Sequence, residues 1–240
     1  KPLYYGKVDG QLVFGSELAA FRPVPGYRPE IDQSALALFL RFSSVPDPHS
    51  IYRDIFKLEP GCIVSFNVRG DQIGKTEYWS LADTIANAKQ NPFQGSYTDS
   101  VDYFEKLMSS SVKLQMQSDV PLGAFLSGGV DSSLIVALMQ KQSSSKVRTF
   151  SIGSDASCYN EAQYAKEVAK HLSTDHSELY VTDKDALDVI PLLPHIYDEP
   201  FADSSQIPTY LVSKIAKGHV TVVLSGDAGD ELFGGYNRYT

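Results

Sequence analysis

The stretch that decides the fold is Ser127-Gly128-Gly129-Val130-Asp131-Ser132-Ser133. It stands between an apolar run ending Ala124-Phe125-Leu126 and a helical pattern beginning near Asp131. Two adjacent glycines let the backbone turn sharply and approach a ligand with no Cβ in the way. A helix starting directly after such a turn offers unpaired N–H groups and the positive end of its dipole, which together favour an anion. Ser127, Ser132 and Ser133 add hydroxyl donors, and Asp131 is suited to hold a magnesium ion that bridges phosphates. The loop lacks the lysine of the Gly-x-x-x-x-Gly-Lys-Ser/Thr motif, so hydrolysis at a γ-phosphate is not its natural reading. Capped Gly-rich turns also open many helices that bind nothing. The full heptapeptide in a strand–turn–helix setting weighs against that plainer account.

Outward from this loop, strand and helix patterns alternate. Strands are expected at Val120–Leu126, Val147–Ile152, His176–Val181 and Val220–Leu224. Helices are expected at Tyr97–Gln117, Asp131–Gln142, Glu161–His171, Asp183–Leu193 and Ile207–Lys217. Such alternation predicts an α/β fold, a parallel sheet with helices on both faces. A second loop, Ser225-Gly226-Asp227-Ala228-Gly229-Asp230-Glu231-Leu232-Phe233-Gly234-Gly235-Tyr236, follows the last of these strands. It lies at the carboxyl edge where open α/β sheets bind ligands. Its clustered carboxylates Asp227, Asp230 and Glu231 repel one another unless a cation intervenes, which predicts a divalent metal. The plainer alternative is a solvated acidic turn with Asp230 capping a helix.

Residues 1–80 read as mostly β, with short runs at Leu3–Tyr5, Gln11–Phe14, Cys62–Asn67 and Thr76–Trp79 and a hairpin turn at Val8-Asp9-Gly10. One helix, about Asp32 to Phe42, starts from Asp32 or Ser34 as N-cap. The polar stretch 83–98 reads as a linker. The expected organisation is therefore 1–82, the linker 83–98, and an α/β domain over 99–240.

A net charge of −8 disfavours a general nucleic-acid or membrane-surface binder, which would present a basic face. No apolar run approaches the ~20 residues of a membrane helix, and no signal peptide opens the sequence. Cys62 and Cys158 form no metal or redox motif, so a reducing cytoplasm is the expected location. The five histidines are scattered without helical pairing, and most read as surface or capping residues.

At its two loops the chain resembles the glutamine-hydrolysing asparagine synthetase family. Ser127–Ser133 is similar to that family's pyrophosphate loop and Ser225–Tyr236 to its second nucleotide and metal loop. Asp198-Glu199-Pro200-Phe201-Ala202-Asp203-Ser204-Ser205-Gln206-Ile207-Pro208-Thr209-Tyr210 resembles the segment bordering the acceptor pocket, and Thr149–Gly153 the strand beside the adenine. Lys1–Gly6, Phe14–Glu17 and Leu58–Gly61 resemble the closing part of the family's glutaminase domain. The first loop alone is shared with other ATP pyrophosphatases; the pair is particular to the amidating branch.

The resemblance implies an ATP-pyrophosphatase, adenine-nucleotide α-hydrolase-like domain preceded by a partial, β-rich piece of an N-terminal-nucleophile glutaminase domain. It implies ATP and Mg2+, with adenosine against Phe125, Ile152, Ser225 and Gly226. Pyrophosphate would lie on Ser127, Gly128, Gly129, Ser132 and Ser133, with magnesium on Asp131 and Asp230. Asp227 and Asp230 are its catalytic candidates, Asp227 near the attacking ammonia although its side chain is short for a base. Asp203, Ser204 and Ser205 would border the acceptor. The implied reaction makes an acyl-AMP from a carboxylate, with aspartate the leading acceptor, and ammonia from glutamine displaces AMP.

Relatives with similar loops amidate sugars or peptide intermediates or close a β-lactam ring, and those acceptors stay open. The expected partners are these small molecules, with no nucleic acid and no membrane; a homodimer of the full-length protein is left open. Neither cysteine matches the family's N-terminal nucleophile, and no residue matches the lysine of its later helical region. The expectation is a fragment of a longer protein, truncated at the synthetase domain's C-terminus and unable to hydrolyse glutamine by itself. A nucleotide-binding piece without turnover is the competing reading. Transfer-RNA modification is disfavoured by the acidic charge.

Overall fold

A computed structural model describes residues 2–154 and 161–236; Cys158 lies outside the described residues. Two compact units form, one from Lys1–Gln94 with Pro191–Ser204, the other from Gly95–Ile190 with Ser205–Thr240.

In the first unit, β1 (Tyr4–Val8) and β2 (Gln11–Gly15) make an antiparallel hairpin. Its turn residues Asp9 and Gly10 both have positive φ, 47° and 79°, as the tight turns that match strand twist require. Helix α1 (Gln33–Phe42) is capped by Asp32, whose carboxylate accepts from the N–H groups of Ser34 and Ala35. Strand β3 (Ile55–Lys57) pairs with the other edge of β1. It has only three residues, too few to show a period in sequence. A hairpin of β4 (Cys62–Phe66) and β5 (Gln72–Glu77) follows. The expected strand at Thr76–Trp79 thus lies mostly earlier. The stretch read as a linker holds most of a helix, α2 (Leu81–Gln90), with Ser80 as its side-chain cap. Its polar composition reflects a helix with no buried residue. Leu18, Phe21, Ala35, Val45, Ile51 and Ile55 form the core of this unit with Tyr4.

The second unit opens with α3 (Tyr97–Gln115), started by a reciprocal cap between Ser96 and Asp99. Then come β6 (Leu122–Phe125), α4 (Val130–Gln142), β7 (Arg148–Ser154), α5 (Ala162–Leu172), β8 (Asp175–Val181) and α6 (Asp183–Val189). The expected helix Asp183–Leu193 breaks after Val189 into a 3-10 turn, Ile190–Leu192, and a short α7 (Leu193–Ile196) that belongs to the first unit. Pro191 supplies the reason, since it has no N–H to continue the ladder and its ring clashes with the preceding turn. Helix α8 (Gln206–Ala216), β9 (Val222–Leu224) and α9 (Gly229–Phe233) complete the described chain.

The four strands β6 to β9 form one parallel sheet in the order β8-β7-β6-β9. Side chains alternate across it. Ala124 and Leu126 pack with Val136 and Met139 of α4 and Ala165 and Ala169 of α5. On the opposite face Phe150, Phe125 and Val223 pack with Val212, Ile215 and Ala216 of α8. Helices therefore cover both faces, as expected. The strand order reverses at β6, because the chain moves outward through β7 and β8 and returns to β6's other edge as β9.

Candidate active site

Because β6 and β9 are parallel neighbours, the loops that leave them emerge at the same carboxyl edge, beside the point where strand order reverses. Gly128 takes a φ of +83°, and a Cβ there would stand 2.6 Å from the Ala165 nitrogen at the start of α5. Only glycine meets both conditions. Gly129 is the N-cap of α4 and supplies no side-chain cap to the first-turn amides.

Ser132 closes the loop from inside. Its buried hydroxyl accepts the Ser127 N–H at 3.2 Å, donates to the Gly129 carbonyl at 3.3 Å and lies 2.9 Å from the Ser127 hydroxyl. Ser127 Oγ in turn accepts the Gly129 N–H at 3.2 Å. Ser133 differs: its Oγ is buried with no hydrogen-bond partner. A buried hydroxyl left alone is costly, so an unfilled oxygen beside the α4 N-terminus fits a site built for an external acceptor. The tight glycine turn, the uncapped amides and this orphan hydroxyl together suit a phosphate chain.

The second loop lies directly against the first. A Cβ on Gly226 would stand 2.7 Å from the Ser132 nitrogen, and one on Gly229 2.5 Å from the Asp131 carboxylate. Ala228, with φ 71°, turns the chain into α9, and the Ser225 hydroxyl donates to Asp227 Oδ2 at 2.8 Å. Among the described residues no group of three or more metal-ligating side chains is brought together. Asp230 and Glu231 are consecutive on α9, about 100° apart around its axis, and Glu231 instead accepts from the Tyr236 hydroxyl at 2.9 Å. Asp131 and Asp230 remain the candidates for magnesium, which needs only one or two carboxylates when phosphates and water complete its shell.

Asp131, Ser225, Gly226 and Asp227 also line a cavity of about 870 Å³ whose walls include Phe104 and Ile135. Its lining is mostly apolar and includes two carboxylates but no Lys, Arg or His. Val130 and Asp131, the first residues of α4, are part of the same wall. Phe125 pairs in register with Phe150, and Ile152 follows two residues on, so all three share one face of the sheet. Asp203 and Ser204 are exposed in the first unit, and exposed Ser205 precedes α8 in the second.

Asp198 and Glu199 are turned into the first unit, Asp198 accepting the Ala19 N–H at 2.9 Å and Glu199 the Ile51 N–H at 2.7 Å. Lys57, which pairs with Glu199, carries no signal in the sequence because its partner is far along the chain. His176 departs from the surface reading of the histidines: its side chain is 9% exposed and lies between the Thr149 and Ser151 hydroxyls.

Residues 1–79 match the glutamine amidotransferase domain and residues 103–240 match asparagine synthase. It is 41% identical to the putative asparagine synthetase [glutamine-hydrolyzing] 2 of Methanocaldococcus jannaschii, over 98% of this chain and 45% of that protein. It is 37% identical to asparagine synthetase [glutamine-hydrolyzing] 1 of Bacillus subtilis, over 100% of this chain and 36% of that one. For asparagine synthetase B [glutamine-hydrolyzing] of Escherichia coli the figures are 30%, 85% and 44%. The chain thus spans less than half the length of these relatives. Among the described residues, no helix is long and apolar enough to cross a membrane. The parallel sheet with its two adjacent loops has the ATP-pyrophosphatase fold. Since asparagine synthase matches more than half of its residues, the chain belongs to the asparagine synthase family.

Proposed function

We propose that this chain carries the adenylation site of a ligase that amidates a carboxylate at the expense of ATP, with aspartate as acceptor and glutamine as the source of ammonia. The observation that carries this reading is the contact of the two loops at the carboxyl edge of β6 and β9. A pyrophosphate site on one and carboxylates on the other supply what adenylation needs.

An acceptor carboxylate oxygen attacks the α-phosphorus, a P–O bond forms, and the bond to the bridging oxygen breaks, releasing pyrophosphate. The α4 amides with Gly128, Gly129, Ser127 and Ser133 hold the departing pyrophosphate, and Ser132 keeps their loop closed. Phe125, Ile152, Ser225 and Gly226 border the adenosine. Asp131 and Asp230 would hold Mg2+, which neutralises phosphate charge when bound. Ammonia then adds its lone pair to the acyl carbon, the C–O bond to AMP breaks, and a proton leaves the nitrogen. Asp227, fixed by Ser225, is oriented for that second step, and Asp203, Ser204 and Ser205 border the acceptor. Positioning and charge neutralisation are the protein's contribution.

The test is ATP–pyrophosphate exchange with magnesium and a panel of carboxylates headed by aspartate, beside Asp131→Asn. Aspartate-dependent exchange that the substitution removes is expected. Exchange with a different carboxylate would overturn the acceptor, and failure to bind ATP would overturn the site.

A further inference from the structure

Two glycines at the ends of α9 pack against the two carboxylates that are the candidates for magnesium, all within the second unit. A Cβ on Gly229, the first residue of α9, would stand 2.5 Å from Asp131 Oδ2. One on Gly235, two residues past the end of that helix, would collide with Asp230 Oδ1. Neither carboxylate could keep its place beside any residue but glycine. In both cases the nearest atoms belong to the end of a side chain. An added methyl group therefore displaces a carboxylate, whereas on Gly226 it would meet backbone.

The same two carboxylates differ from their neighbours in what they bond. Asp227 accepts the Ser225 hydroxyl and Glu231 the Tyr236 hydroxyl, and both residues are exposed. Asp131 and Asp230 are half-buried, and neither side chain has a hydrogen bond or ion pair among the described residues. Partial burial of an unpaired charge is costly, and an external cation relieves it. The helix between the two glycines is held from outside, since five residues are too few to sustain a helix alone. Its Phe233 ring meets Phe104 of α3 edge-on, with centroids 5.2 Å apart and planes at 85°. The Gly235 N–H donates to the Asp230 carbonyl at 3.0 Å, which closes the turn that brings Gly235 against the Asp230 side chain.

We propose that Gly229 and Gly235 are positioning residues for magnesium, their missing side chains setting where the Asp131 and Asp230 carboxylates stand. The inference rests on the adenylation reading above.

It is tested in the chain with Gly229→Ala, Gly235→Ala and Gly234→Ala. Gly234 has a φ of 70° and nothing within 4 Å of where its Cβ would stand, so its substitution strains the backbone without displacing a carboxylate. The readouts are the ATP Kd by calorimetry with and without magnesium, the binding of Mn2+ beside ATP followed by electron paramagnetic resonance, and the urea midpoint. In Gly229→Ala and Gly235→Ala the gain in ATP affinity from magnesium shrinks about tenfold or more, and Mn2+ binding weakens with it. Their metal-free ATP affinity and urea midpoint stay unchanged. Gly234→Ala does the reverse, lowering the urea midpoint and keeping the magnesium gain. An undiminished magnesium gain in Gly229→Ala or in Gly235→Ala overturns the proposal. So does an equal loss of the gain in Gly234→Ala, or a urea midpoint that falls together with the gain, since either marks a merely structural role. An unsubstituted chain that binds ATP equally with and without magnesium overturns the parent assignment of the metal, and is distinguished because it precedes any substitution.

Discussion

The backbone of Gly226 rests on that of Ser132, so closely that a methyl group on the glycine would stand 2.7 Å from the serine nitrogen. This contact joins the two loops into one surface. Gly226→Ala meets backbone, which cannot swing aside as a flexible side chain could. Stability should fall by about 1–3 kcal/mol, and ATP affinity by about tenfold or more. Urea unfolding and calorimetric titration with ATP measure the two. A stable variant with unchanged affinity would show that the loops do not act together.

Adjacent glycines in the first loop should behave differently. Gly128→Ala forces a side chain into a φ of +83° and against the Ala165 nitrogen, costing about 1–3 kcal/mol. Gly129 has a φ of −69°, and its Cβ would meet only Ser127 Oγ at 3.3 Å. Gly129→Ala should cost under about 1 kcal/mol. Equal losses in denaturant unfolding would contradict this geometry.

The two serines that open α4 separate fold from ligand. Ser132→Ala strips the Ser127 N–H of its acceptor and should destabilise by about 1–3 kcal/mol. Ser133→Ala removes a buried hydroxyl without a partner, so the free chain should be unchanged or slightly more stable. Its ATP affinity should nevertheless drop. A Ser133→Ala chain that binds ATP normally would exclude Ser133 from the phosphate site.

His176 sets a pH dependence. Burial lowers its pKa below the usual 6.5, opposed by the nearby Glu178 carboxylate, while Lys166 on α5 adds to the lowering. A group whose pKa is depressed on folding contributes stability above its unfolded pKa and loses it as pH falls toward the folded value. Stability should therefore decline with acidification below about pH 6.5. Urea midpoints between neutral and mildly acid pH should show that decline, and His176→Gln should flatten it. An equal slope in the variant would assign the dependence to other groups.

Much of the second unit was legible in sequence because its signals are local. Apolar runs and the change to a period of 3.6 marked its four strands and most of its helices, and the Gly-Gly pair marked the turn between β6 and α4. Val8-Asp9-Gly10 fixed a hairpin for the same reason, since positive φ at two successive positions selects those residues. Less visible were β3, too short to show a period, and α2, whose cap at Ser80 sits in a sequence polar enough to pass for a linker. Asp227, Asp230 and Glu231 are close in sequence, yet Asp230 and Glu231 lie on α9 and Asp227 before it, a separation of directions that spacing does not show.

The sequence by itself determined the alternation of strands and helices and the turn at Gly128, because each depends on the φ preferences and side chains of a few neighbouring residues. Tertiary structure alone decided that β9 returns beside β6, that Gly226 must be glycine to pass Ser132, and that Glu199 faces Lys57. Those relationships join residues far apart along the chain. They follow from strand pairing and close packing, which no local pattern records.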